Sequence, residues 1–163
     1  MSERGGFRTN MELKKILIFL LILNFTFFLN AQTIRPTNQL SPYDVIKIQL
    51  NALQNNNQPF KDAGIKQVWL FAHPENQKVT GPYERFRDMI YGDQYKILLN
   101  HNSHKIDLVM NTQEKYIYKI EILTKKKKLF IYKWQVERGK SKECDNCWFT
   151  SSVSTPVDQG NTI

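Results

Sequence analysis

Apolar positions change period once along this chain. From Ser41 to about Ile90 they recur at helical spacing, and from Asn102 to Val153 they alternate as strands do. Ser41-Pro42-Tyr43-Asp44 is a helix start: Ser41 suits the N-cap, Pro42 the first helical position, and the Asp44 carboxylate meets the helix dipole at N3. Val45, Ile46, Gln49, Leu50 and Leu53 form the buried stripe, and Asn55-Asn56-Asn57 ends the helix. Asp62 is the expected cap of a second helix carrying Ile65, Val68, Trp69 and Ala72, widened by Leu70 and Phe71. His73-Pro74 stops it, because a residue before proline avoids the α region. Glu75 to Thr80 reads as a polar loop. Gly81-Pro82-Tyr83-Glu84 starts a third helix with Pro82 at its first position and Tyr83, Phe86, Met89 and Ile90 on one face. Gly81 is expected to supply a backbone conformation that side chains resist. Gly92 ends this helix, and Gln94 to His101 holds a short helical turn.

Strand patterns follow. Ile106, Leu108 and Met110 alternate with polar neighbours. Tyr116–Leu123 is β-branched and aromatic, the run Lys125–Lys128 turns the chain, and Leu129–Val136 returns with Phe130, Tyr132, Trp134 and Val136 on one face. Arg138 to Asn146 reads as a polar loop, Cys147–Val153 as a last strand, and residues 154–163 as a frayed tail. Helices first and strands after predict an α+β domain over residues 41–153, with helices packed on a curved antiparallel sheet of about four strands.

The N-terminus has its own pattern. Lys14-Lys15 precede an apolar run from Ile16 to Leu29, and Ala31 follows. A positive region, a short apolar stretch and a small residue make a secretory signal peptide over residues 1–31, cut after Ala31. The competing reading is a retained membrane anchor, but the run falls short of the roughly 20 residues a spanning helix needs. No cysteine follows the run, which argues against a lipoprotein. Met11 is an alternative start, since residues 1–10 add nothing to a signal. The expected location is therefore outside the cell or in the periplasm, with residues 32–40 a linker.

The formal charge of +8 falls to +6 once Arg4, Arg8, Lys14, Lys15, Glu3 and Glu12 leave with the signal. Four of the remaining cations are the Lys125–Lys128 run, which reads as a solvated turn. Nucleic acid is a poor partner for an exported chain. An anionic membrane surface would attract such a run by ~1 kcal/mol per lysine, but the run is short, so membrane contact is expected only through an uncut signal.

Cys144-Asp145-Asn146-Cys147 has redox spacing but lies in a loop entering a strand, without the helix N-terminus that lowers a thiol pKa. In an oxidising compartment the plain reading is a local disulfide between Cys144 and Cys147; two thiols, or a redox or metal pair with His73, His101 and His104, are the alternatives. No metal set, cofactor or catalytic constellation is assigned.

Three segments carry a family resemblance: Ala72-His73-Pro74-Glu75-Asn76-Gln77-Lys78-Val79-Thr80-Gly81-Pro82-Tyr83-Glu84-Arg85-Phe86, Leu98-Leu99-Asn100-His101, and Asn146-Cys147-Trp148-Phe149-Thr150. Together, in this order, they resemble the family called domain of unknown function 4864, over about residues 41–153. That family has no assigned activity. Its layout is similar to the nuclear transport factor 2-like superfamily, in which helices and a curved sheet form a cone around a pocket, and whose members include isomerases, dehydratases, cyclases and non-catalytic proteins. The resemblance implies the fold and leaves the mechanism open. The chain departs from the family at His73, where a small residue is usual, and at Ser151, where Asp is usual.

Candidates to line such a pocket are Trp69, Tyr83, Arg85, His101, Trp134 and Trp148. Each has a plainer reading: the tryptophans as core, His101 as a loop hydrogen-bonder, Arg85 as a surface cation, and Tyr83 as a helix anchor. The reading that follows is an exported, non-enzymatic module that binds a small apolar ligand or a protein partner, as a monomer or homodimer, through the pocket or the sheet face. The alternative is an isomerase- or lyase-like enzyme using the same pocket. Two convergent ionisable groups at the cone mouth would favour the enzyme.

Overall fold

The computed structural model describes residues 33–161; the signal-peptide reading of residues 1–31 lies outside them. Four helices, α1 (Pro42–Gln54), α2 (Ala63–Phe71), α3 (Pro74–Thr80) and α4 (Tyr83–Tyr91), precede a 3-10 turn (Lys96–Leu98). Five strands follow: β1 (Ser103–Asn111), β2 (Lys115–Leu123), β3 (Lys128–Gly139), β4 (Cys147–Val153) and β5 (Val157–Asn161). The predicted α+β arrangement is the one observed, with helices packed on a curved, unclosed antiparallel sheet.

The α1 start follows its local chemistry. The Ser41 hydroxyl accepts from the Asp44 amide and the Asp44 carboxylate accepts from the Ser41 amide, a complete capping box. Val45, Ile46, Gln49, Leu50 and Leu53 are all buried. α2 departs from expectation at its start. Asp62 has a left-handed φ of 64° and makes no side-chain cap. Asn56 does that work from the end of α1: its Oδ1 accepts from the Ile65 amide at 3.0 Å. Asp62 instead accepts from Asn56 Nδ2 and from the Tyr91 hydroxyl, tying α2 to the end of α4. α1 and α2 touch at Gly64, where an added Cβ would lie 2.2 Å from the Ala52 carbonyl oxygen.

The segment Glu75–Thr80, expected as a loop, is a helix. Pro74 opens it and the His73 ring accepts from the Glu75 amide. Its polar side chains have backbone partners: Gln77 Nε2 donates to the Trp69 carbonyl and Asn76 Nδ2 to the Ser151 carbonyl. Pro82 is the N-cap of α4 rather than its first residue. Gly81 has an ordinary φ of −70°, so left-handed freedom is not its role. It is needed because a Cβ there would sit 2.5 Å from the Gln77 carbonyl oxygen.

The sheet order is β1-β2-β3-β4, with β5 also on β3. β3 is long enough to serve two partners on one side: residues 134–139 pair with β4, and Lys128, Phe130 and Ile131 with β5. Ser154 makes the switch, its amide donating to the Lys133 carbonyl and its hydroxyl accepting from the Lys133 amide. The C-terminal segment expected to fray therefore extends the sheet. β3 likewise runs to Gly139, into the predicted loop. Tyr118, Ile120 and Ile122 of β2 and Tyr132, Trp134 and Val136 of β3 bury against the α1–α2 stripe. The expected linker is also docked: Gln67 exchanges two hydrogen bonds with the Ile34 backbone, at 2.9 and 2.7 Å. Cys144 and Cys147 form a disulfide.

Candidate functional site

Between α1, α2, α4 and β4 lies a cavity of about 260 Å³. Leu53, Val68, Phe86, Ile90, Leu98 and Trp134 give it apolar walls, and Met89 stands partly exposed at its margin. Its polar lining is Gln49, Asn76, Thr80, Tyr95, Thr150, Ser151 and Ser152.

One buried network organises the polar side. The Thr150 hydroxyl accepts from Trp134 Nε1 at 2.9 Å and from Gln49 Nε2 at 2.8 Å. It donates to Gln49 Oε1 at 3.1 Å, and Gln49 Nε2 also donates to the Val45 carbonyl. Strand geometry explains the meeting: Thr150 faces the helices from β4, opposite Val136 on β3. α1 supplies Gln49 from the middle of its apolar stripe. A polar side chain buried there is tolerable only with its hydrogen bonds made. Among the described residues, no buried side-chain nitrogen or oxygen lacks a partner.

α3 closes the rim. The His73 amide donates to the Thr150 carbonyl at 2.8 Å, Ala72 and Thr150 form a parallel bridge, and the Thr80 hydroxyl donates to the Asn76 carbonyl. Tyr95 enters from the 3-10 turn with its hydroxyl donated to the Val153 carbonyl.

Only one of the six pocket candidates lines this cavity. Trp134 does, at its wall. Trp69 is half-buried, packs at 5.0 Å on Phe86 and edge-on to Tyr83, and lines a separate open groove of about 780 Å³ outside α2 and α3. That groove carries Glu75, Lys78, Lys140 and Glu143, which are held in ion pairs with Lys78, Glu75, Asp145 and Arg35 respectively. Tyr83 is half-buried against Trp69, and burial raises its phenol pKa. Arg85 is exposed on α4, away from the cavity. Trp148 is buried beneath the Arg138 guanidinium, 4.0 Å above its ring, and against Tyr116.

His101 is buried and does not line the cavity. Its Nδ1 donates to the Leu98 carbonyl at 2.7 Å, so its Nε2 accepts from His104 Nδ1 at 2.8 Å. Burial depresses both imidazoles, His101 down to about 4, which keeps it neutral. Neither His101 nor His104 lines the cavity.

The residues that sequence reasoning passed over are Thr150, Asn76 and Thr80. Gln49 was the available signal: an amide on an otherwise apolar stripe demands a buried partner. Asn76 and Thr80 were hidden because α3 has no apolar period.

No protein-family model, curated protein or solved structure matches this chain.

Proposed function

We propose that this chain is an exported, non-enzymatic module that takes a small, uncharged, largely apolar ligand into the cavity between the helices and β4. The observation that carries this reading is the lining. It combines nine apolar residues with amide and hydroxyl groups, and among the described residues it holds no carboxylate, amine, guanidinium, thiol or imidazole. Its single phenol, Tyr95, is committed to a backbone carbonyl. An isomerase-like mechanism needs two convergent ionisable groups with separated pKa values; neither His101 nor His104 lines the cavity. The neutral Gln49–Thr150–Trp134 network has its donors engaged and keeps acceptor capacity at Gln49 Oε1, which fits a ligand with one hydroxyl on an apolar body.

Size narrows the class. An apolar cavity of about 150 Å³ holds benzene, so about 260 Å³ suits one substituted ring or a short branched chain. The same reading places the chain with the domain of unknown function 4864 family, on the Ala72–Phe86 segment and the order of the two shorter motifs. It also places it outside the cytoplasm after loss of residues 1–31, which the intact mass of protein from its host would check.

The binding test uses the Trp134 indole as reporter. Benzyl alcohol should shift the Trp134 Nε1–H resonance and the Leu98 and Ile90 methyl resonances saturably, and benzoate should not, because its charge finds no counter-ion in the cavity. No shift with benzyl alcohol, or tighter binding of benzoate, overturns the reading.

A further inference from the structure

The two sides of the sheet are finished differently. On the β4 side, the backbone edge is occupied: Ala72 bridges Thr150, the His73 amide takes the Thr150 carbonyl, and Asn76 takes that of Ser151. On the other side, β1 pairs with β2 and with no other described strand. Edge strands of monomeric proteins are commonly kept short, charged or covered, because an open row of backbone groups invites another strand. β1 is nine residues long and carries, just before its last residue Asn111, three consecutive exposed apolar side chains: Leu108, Val109 and Met110, at 53%, 63% and 50% exposure.

We propose that β1 is the surface on which a second copy of this chain docks, strand to strand and antiparallel, about a two-fold axis through Ile106. The charges choose this register. In an antiparallel pair, directly opposed residues lie on the same face of the sheet, so a two-fold pairing must centre on a residue. Centring on Lys105 sets lysine against lysine, and centring on Asp107 sets aspartate against aspartate. Centring on Ile106 sets each Lys105 opposite Asp107 of the other copy, twice by symmetry. Lys105 and Asp107 already share the outer face, 3.0 Å apart, with Lys119 of β2 at 3.3 Å from the same carboxylate. The pairing would turn that cluster into an alternating array across the axis.

The same register places His104 opposite Leu108, and Ser103 opposite Val109, which covers part of the exposed apolar run. It also has a natural end. The β1–β2 ladder shifts between Leu108 and Met110, so Val109 is the residue where β1 bends away from a regular edge. The product is one sheet running through both copies, with the helix layers and their cavities on one side of it. β5 offers no comparable edge, since its exposed residues are Val157, Asp158, Gln159, Gly160 and Asn161, polar after the first. The proposal does not depend on the ligand reading and is tested without any ligand.

Sedimentation velocity across a concentration series of the purified protein tests it. The parent should pass from monomer to dimer. Lys105→Asp or Asp107→Lys alone sets like charges opposite each other at two symmetric places and should weaken dimerisation about tenfold or more. The double variant Lys105→Asp/Asp107→Lys restores opposite charges in the same register and should recover the dimer. Circular dichroism establishes that each variant is folded. Hydrogen exchange of the parent reads the interface without any substitution: protection along Ser103–Val109 should rise with concentration. A parent that stays monomeric, a dimer indifferent to the single reversals, or exchange along β1 that ignores concentration would each overturn the proposal, the first leaving β1 to a strand from a different protein.

Discussion

Replacing Thr150 with Val sets hydrogen bonding against apolar burial at the centre of the cavity wall. The two side chains have nearly the same shape, so the change opens no void. If burial of apolar area dominated, valine would leave stability unchanged or raise it slightly. The geometry predicts the opposite. Among the described residues, Thr150 is the one acceptor for Trp134 Nε1. The same hydroxyl is the donor to Gln49 Oε1. Gln49 Nε2 keeps the Val45 carbonyl at 3.0 Å, so its loss is partial. Among the described residues, one buried donor is then left unpaired and Gln49 Oε1 loses its one donor, at about 1–3 kcal/mol for each fully orphaned group. We expect Thr150→Val to destabilise by about 3 kcal/mol, with a drop in Tm on the order of 10 °C for a domain of this size. Thr150→Ser keeps the hydroxyl and removes one methyl, and should lose only about 1 kcal/mol. Urea unfolding gives both free energies, and an unchanged m-value would show that the comparison is between like states. Valine as stable as the parent, or less damaging than serine, would refute the account and return Thr150 to ordinary packing.

Three further outcomes follow from the packing. His101 is 3% exposed and its folded-state pKa is held at about 4, below the unfolded value of 6.5. The unfolded chain therefore binds more protons between those values, and the stability from keeping this ring neutral is fully present above about pH 6.5 and lost as pH falls to 4, by about 3 kcal/mol; urea midpoints at several pH values should follow that window, and His101→Gln should flatten it. Gly81→Val forces a Cβ to within 2.5 Å of the Gln77 carbonyl oxygen and should destabilise by about 1–3 kcal/mol, whereas exposed Arg85→Ala should change stability by less than about 1 kcal/mol; thermal melts that reverse this order would make Arg85 a structural anchor. Reducing Cys144–Cys147 opens a loop of only a few residues, so its entropic effect should be about 2 kcal/mol; a much larger loss on reduction, measured by urea unfolding, would mean that the disulfide orders more than its own loop.

What the sequence determined is what neighbours in the chain decide together. The α1 start was legible because Ser41, Pro42 and Asp44 lie within one turn and satisfy each other's backbone groups. The β2–β3 hairpin was legible because Tyr116–Leu123 and Leu129–Val136 alternate around a lysine turn, and their register brings Leu123 opposite Leu129. The order of periods, helical then alternating, carried the α+β class. Local reasoning failed where the partner is distant. α3 has no apolar stripe of its own, and its Asn76 meets the Ser151 carbonyl of β4 more than seventy residues away. β5 is wholly exposed and exists because β3 is long enough to offer a free edge beyond β4. Asp62 was read as a cap from its position in the chain, but its left-handed backbone turned it toward Tyr91 and left the cap to Asn56. The cavity's centre joins Gln49 to Thr150 across 101 residues. Only the packing of α1 against β4 brings those two groups within hydrogen-bonding distance, because a side-chain network in the core is selected by three-dimensional neighbours and leaves no period along the chain.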